Sequence, residues 1–303
     1  MRLCRFDEGR LGVVDGAEVR DVTAALEVLP TLRYPFPPYD VLVANLPKVA
    51  ARARILMDGA PAVPVDRVRL LSPVANPGKI IAAPVNYQKH LDEVKSDVQI
   101  HANNPAHTIT IQQAGVFLKA SSSVVGPGEG VALCKPERRT DHEVELTVVI
   151  GKSASRVPAA EALDYVAGYT IGLDISIRGS EDRSLRKSPD SYTVLGPWLV
   201  TADEIRDPGT LDLQIAVNGE LRQKSNTKYM ILGVPELIEM ASSFYTLHPG
   251  DVILTGTPEG VSPIEPGDRI VATVERIGTM EVGVRAADGG SGTARPTYAS
   301  VKV

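Results

Sequence analysis

The chain has 303 residues, 43% hydrophobic and 23% charged, enough for a large core and ordinary for a globular protein. With 32 Lys and Arg against 37 Asp and Glu the formal charge is −5, which argues against nucleic-acid binding, since that needs a basic face. No apolar run approaches the roughly 18–20 residues needed to cross a bilayer, so no membrane role is expected. The first residues lack the apolar run of a signal peptide, and Cys4 and Cys134 have no partner pattern. The expectation is a reducing cytoplasm and no cysteine-based zinc site.

In chain order, Arg2-Leu-Cys-Arg-Phe and Gly12-Val-Val read as a hairpin closed through Asp7-Glu-Gly. Residues 41–56 read as helical, with Pro47 at a break or first turn. The segment Leu71-Ser-Pro-Val-Ala-Asn-Pro-Gly78 is a loop cluster, and it divides a small N-terminal domain, 1–72, from a large second one, 73–303. A helix is expected over 159–168, with Ala162, Leu163 and Val166 on one face, and another near 234–243, with Pro235 in its first turn. Val217-Asn-Gly-Glu220 predicts a tight hairpin, and the Pro-Gly pairs at 249–250 and 266–267 predict type II turns before strands. Asp288-Gly-Gly-Ser-Gly292 reads as a tail loop. The fold class is α+β, rich in β.

The most informative stretch is Asp141-His-Glu-Val-Glu-Leu-Thr-Val-Val-Ile-Gly151. Residues two apart on a strand share a face, so Glu143 and Glu145 leave one side together, beside a run that reads as buried. A third carboxylate, Asp174, lies in Gly172-Leu-Asp174-Ile-Ser-Ile-Arg178. Bare carboxylates beside a buried strand repel one another and lose hydration, and a divalent cation relieves both costs. Three oxygen donors suit Mg²⁺, Mn²⁺ or Ca²⁺ better than Zn²⁺. The same spacing also occurs on exposed strand edges, and spacing leaves the two readings open.

Taken in order, several segments resemble the fumarylacetoacetate hydrolase family: Lys79-Ile-Ile-Ala-Ala-Pro-Val-Asn-Tyr-Gln-Lys-His90, Phe117-Leu-Lys-Ala-Ser, His142-Glu-Val-Glu-Leu, Lys187-Ser-Pro-Asp190, and Pro249-Gly-Asp-Val-Ile-Leu-Thr-Gly-Thr-Pro258. The resemblance covers roughly residues 70 to 285, and the small domain before it is similar to that of bacterial members of this length. It implies a β-roll-like catalytic fold, homodimers, and a divalent metal on Glu143, Glu145 and Asp174. It also implies a His90–Glu93 dyad as general base, Lys187 near the metal, and Arg178, Thr257 and Tyr87 at the substrate, with Phe117 lining the pocket. Lys187 is expected to hold a substrate carboxylate or polarise a carbonyl. For Arg178 two roles stay open, binding a substrate carboxylate and bracing the metal carboxylates.

The activity this resemblance implies is hydrolysis of a carbon–carbon bond in a 1,3-diketo acid, an acylpyruvate such as fumarylpyruvate or maleylpyruvate, in aromatic degradation. Decarboxylation, isomerisation or hydration of a related 2-oxo acid is the alternative. A binding protein that has kept the fold and lost turnover is a third reading, opposed by the intact site residues. Residues 95–113, with His101, His107 and Gln112, form a longer stretch than in compact members and are expected to reshape the entrance. A second metal site on these histidines is conceivable from composition alone.

Overall fold

The computed structural model describes residues 1–287; the expected tail loop at 288–292 lies outside the described residues. A 12-stranded sheet carries the architecture. Its main path uses β1 (Arg2–Phe6), β2 (Arg10–Asp15), β3 (Glu18–Asp21), β4 (Ala62–Pro64), β5 (Ile80–Ala82), β6 (Phe117–Lys119), β7 (Val144–Ile150), β8 (Val166–Asp174), β9 (Thr193–Thr201) and β10 (Val252–Leu254). They lie in the order β4-β3-β2-β1-β9-β8-β7-β10-β5-β6. Neighbours on this path are antiparallel except β10 and β5. The N-terminal strands continue the same sheet, because Leu3 of β1 pairs with Leu199 of β9.

Both faces of the sheet are covered. On one, Val144, Leu146 and Val148 pack with Leu213, Ile215, Ile270, Ala272 and Met280. These belong to a five-stranded sheet built from Glu220–Asn226, Asp212–Val217, Arg269–Val274, Gly278–Ala286 and Val131–Leu133. On the other, Val149, Leu195, Leu199 and Val252 meet Val43, Leu46, Val49 and Ala53 from the N-terminal helices. This double cover is why all seven residues of β7 are buried and why the strand reads as a continuous apolar run.

Local chemistry explains the turns. Asp7 and Gly9 take positive φ in the first hairpin, and Asn218 and Gly219 do so in the hairpin at 217–220. The helices Val41–Ala44 and Leu46–Leu56 are separate, and Pro47 sits at the start of the second, where its missing N–H costs nothing. The expected helix at 159–168 needs correction. A 3₁₀ helix covers Ala159–Tyr165, and Val166 instead opens β8, with Leu163 partly exposed. The β-branched Val166 and the long ladder to β7 outweigh the short amphipathic pattern.

Gly168 marks the tightest crossing of strands in this sheet. A Cβ there would lie 2.1 Å from the backbone oxygen of Val200, which cannot rotate away. Gly168→Ala is therefore expected to cost about 1–3 kcal/mol, seen as a lower urea midpoint with an unchanged slope. An unchanged midpoint would show that β8 and β9 can separate without cost.

Candidate active site

Glu143 is the single residue between the strand Thr140–His142 and β7, and its carbonyl accepts the N–H of Asp174 at 2.9 Å. The two are thus cross-strand neighbours. Glu145 lies two residues further along β7, opposite Gly172. The antiparallel ladder therefore brings all three carboxylates to one face, each offering an oxygen within 4.8 Å of the others. All three are buried, at 3%, 1% and 1% exposure.

Three cationic side chains answer them. Lys187 donates to Glu143 Oε2, Asp174 Oδ2 and Ser176 Oγ, each at 2.6 Å. Lys119 donates to Asp174 Oδ1 at 2.5 Å and to the Tyr192 carbonyl at 2.8 Å. Arg178 donates to Asp141 Oδ2 at 2.7 Å and to Glu143 Oε1 at 2.8 Å. Burial pushes the Glu143 carboxyl up, but Lys187 and Arg178 overcome it and hold the group below the usual carboxylate range. Glu145 goes the other way: burial and then the neighbouring Asp174 charge push it well above that range. Among the described residues no cationic side chain pairs with Glu145, whose carboxylate accepts only the Gly256 N–H, at 2.5 Å. One of the three carboxylates thus lacks a cationic partner, all the donors are hard oxygens, and an ammonium already bridges the other two. These residues fit a divalent metal ion.

Two carboxamides fix the frame. Gln223 accepts from the Val144 N–H at 3.1 Å and contacts His142 Nδ1 at 3.2 Å, while its amide donates to Thr257 Oγ1 at 2.9 Å and the Pro258 carbonyl at 2.7 Å. Asn86 donates to the carbonyls of Leu232 and Thr255 and accepts from the Leu232 N–H, all at 2.8 Å. Gly256 adopts φ +94°, and a Cβ there would stand 2.7 Å from Asn86 Cβ, so only glycine brings this N–H to Glu145.

The helix Gln88–Ser96 carries the dyad. His90 Nδ1 meets Glu93 Oε2 at 2.8 Å, and Glu93 Oε1 accepts the Gly260 N–H at 2.9 Å. This leaves His90 Nε2 for the cavity, which His90 lines together with Glu143, Arg178, Arg183, Arg186 and Lys187. The cavity measures ≈ 20 Å³, room for about one water.

Other expected residues are placed differently. The Thr257 hydroxyl donates to the Val144 carbonyl at 3.0 Å and is committed to the backbone. Tyr87 is fully buried, and its hydroxyl finds no hydrogen-bond partner among the described residues. The Phe117 ring lies under Lys187, with the ammonium 5.8 Å from its centre. Ile100 and His107, from the longer stretch at 95–113, do line the cavity, whereas Gln112 is exposed. Glu143, Glu145 and Asp174 form the one group of three placed to share a cation among the described residues, so His101 and His107 build no second metal site. Lys119, Gln223, Asp141 and Arg186 went unassigned in the sequence reading. The signal for Lys119 was its place inside the Phe-Leu-Lys-Ala-Ser segment.

Residues 79–285 match the family described as fumarylacetoacetate (FAA) hydrolase, C-terminal. The chain belongs to the fumarylacetoacetate hydrolase family. It is 60% identical over 285 residues to the maleylpyruvate hydrolase of Aquipseudomonas alcaligenes, covering 94% of this chain and 99% of that one. The crystal structure of maleylpyruvate hydrolase from Sphingobium sp. SYK-6 in complex with manganese (II) ion and pyruvate aligns with TM-score 0.80 and 39% identity, over 95% of this chain and 100% of that one. The mitochondrial oxaloacetate tautomerase Fahd2a of Rattus norvegicus is 37% identical, over 75% of this chain and 72% of its own.

Removing Glu143 deletes one oxygen donor and strips Arg178 and Lys187 of their shared partner. Glu143→Ala and Asp174→Ala are each expected to weaken Mn²⁺ binding by roughly 100-fold or more in calorimetric titration. Native affinity in both variants would remove the three-carboxylate cluster as a cation site.

Proposed function

We propose that this protein is a divalent-metal-dependent hydrolase that cleaves a carbon–carbon bond of an acylpyruvate, maleylpyruvate or fumarylpyruvate, and releases pyruvate during breakdown of aromatic compounds. The observation that carries this reading is a His90–Glu93 dyad whose imidazole lines the same cavity as Glu143 of the carboxylate cluster. Hydrolysis needs a base for water, and decarboxylation does not. The two maleylpyruvate hydrolase relatives support it, one of them solved with manganese and pyruvate.

The residues divide the work as follows. Glu143, Glu145 and Asp174 would hold Mg²⁺ or Mn²⁺, with Ca²⁺ also suited to an all-oxygen set. The ion supplies Lewis-acid stabilisation of the enolate oxygen that develops as the bond breaks. His90 Nε2 takes a proton from the attacking water, and Glu93 orients the ring and stabilises the resulting imidazolium. The water oxygen bonds to the acyl carbonyl carbon, and the electrons of the broken carbon–carbon bond pass to the pyruvate fragment, which is then protonated on carbon. Lys187, beside Glu143 and Asp174, would hold the substrate carboxylate or polarise a carbonyl. Arg178 braces Asp141 and Glu143, the second of the two roles open to it. Thr257 and Tyr87 complete the proposed substrate contacts, although both are buried and neither lines the cavity in this state. A cavity with room for about one water admits a diketo acid only when the helices Gln88–Ser96 and Val98–His101 give way, as a lid does. The remaining parts of the proposal are a homodimer, a cytoplasmic location, and residues 1–72 as a small domain preceding the catalytic one. No helix among the described residues is long and apolar enough to cross a membrane.

The oxaloacetate tautomerase relative favours one alternative, a proton transfer on a related 2-oxo acid through the same enolate. Product analysis with Mn²⁺ separates the readings: pyruvate from maleylpyruvate supports hydrolysis, and turnover of oxaloacetate with no pyruvate from any acylpyruvate overturns it. Within the hydrolase reading, His90→Ala is expected to keep Mn²⁺ affinity and lose roughly 10²–10⁴-fold in kcat. A His90→Ala enzyme with native kcat would assign the base elsewhere.

A further inference from the structure

Two guanidinium groups that line the cavity form no ion pair among the described residues. Arg186 is 4% exposed and lines the cavity. Its Nε donates to the Glu181 carbonyl at 2.9 Å, its Nη1 to the Ile177 carbonyl at 2.9 Å, and its Nη2 meets His107 Nε2 at 3.2 Å. His107 Nδ1 faces the His101 carbonyl at 3.1 Å, so Nδ1 carries the proton and Nε2 accepts from Arg186. Every partner of Arg186 is neutral. They fix the plane of the guanidinium, and the two acids whose charge reaches it, Glu143 and Glu181, are each already paired with other cations. Arg183 stands three residues earlier on the helix Arg183–Lys187, on the same face, and its Nη2 donates only to the Ala106 carbonyl. Among the described residues neither arginine forms an ion pair, whereas Arg178 and Lys187 in the same cavity each pair with two carboxylates.

A buried charge left without a partner is strongly unfavourable, and burial accordingly depresses the pKa of Arg186 to about 10. Glu143, the one carboxylate lining the cavity, is already held by Lys187 and Arg178. The missing negative charge has to come from what enters. Arg186 spends three of its five N–H donors on its neutral partners, and the two that remain, one on each Nη, are available to a carboxylate. We propose that Arg186, with Arg183 beside it, binds the far carboxylate of a dicarboxylic acylpyruvate, making the enzyme selective for substrates that carry an acid at both ends. This rests on the acylpyruvate reading above and extends it: one end of the substrate is held at the carboxylate cluster and Lys187, the other at the arginine pair.

The test compares maleylpyruvate with (5Z)-2,4-dioxohept-5-enoate, which has the same diketo acid and the same double bond, with a methyl group in place of the far carboxylate. The Mn²⁺-loaded native enzyme is expected to favour maleylpyruvate in kcat/KM. That preference should fall roughly tenfold or more in Arg186→Lys and in Arg183→Met. Arg183 is only partly buried, so its variant keeps the test open if Arg186→Lys fails to fold. A preference unchanged in both folded variants, or absent from the native enzyme, overturns the proposal. Turnover of neither substrate overturns the hydrolase reading, and a binding measurement then decides the arginine assignment separately. In that measurement, Mn²⁺-loaded protein is titrated with 2-oxoglutarate and with 2-oxopentanoate, which differ only in the far acid. A preference for 2-oxoglutarate that Arg183→Met reduces upholds the assignment, and equal affinities overturn it.

Discussion

Glu143, Glu145 and Asp174 lie with oxygens within 4.8 Å of one another inside a covered sheet. Unit charges about 4 Å apart repel by about 4 kcal/mol at the effective dielectric of a protein. Three such pairs approach the whole net stability of an ordinary domain, about 5–15 kcal/mol. Bare, the cluster would unfold the sheet that carries it. The side chains around it follow from that constraint: Lys119 arrives from β6, Lys187 from a short helix, and Arg178 from beyond the end of β8. Even so, Glu145 is left with a single backbone donor and a raised pKa. The cations sit on Glu143 and Asp174 and not on Glu145, and a divalent ion held by all three carboxylates would reach the one they leave unpaired.

Charge balance needs fixed positions, and the second sheet supplies them. Gln223 uses all four of its hydrogen-bonding positions, on His142 and Val144, which flank Glu143, and on the turn at 256–258. It therefore ties the two arms of the site to a strand whose neighbours form the hydrophobic core. Asn86 does the same for the turn from the other side, joining it to the segment that leads into the His90 helix. Packing and chemistry share residues here: the five-stranded sheet that buries Leu146 and Val148 also sets where Glu145 points.

What the sequence made legible was local. The hairpin turns, the break at Pro47 and the shared face of Glu143 and Glu145 depend on residues a few positions apart. Partners far away in the chain were invisible. Lys119 lies 55 residues from Asp174, and Gln223 lies 79 from Val144. Alternation misleads at β6, where Leu118 is exposed and Lys119 buried, because a distant carboxylate outweighs hydropathy. Arg186 was hidden for a different reason. A cluster of basic residues on a short helix looks solvated, and only the cavity reveals that Arg186 and Lys187 both point inward. The helix expected over 159–168 failed where a short periodic pattern met a long ladder, which wins because every residue in it gains a backbone partner.

The choice of lysine and arginine within the site follows the same logic. An ammonium is compact, carries three donors on a flexible stem, and can withdraw when a stronger cation arrives. Lys187 spends its three donors on Glu143, Asp174 and Ser176, which are the contacts a metal ion would compete for. Arg178 is different: its planar fork joins Asp141 to Glu143, and at 8% side-chain exposure it has little room to move. Replacing either type by the other would fail. An arginine at 187 would not collapse onto two carboxylates and a hydroxyl, and a lysine at 178 would not bridge two carboxylates in one plane. The ammonium thus stands on a flexible stem, whereas β7 and β8 are hydrogen-bonded to each other and to a further strand on their other sides.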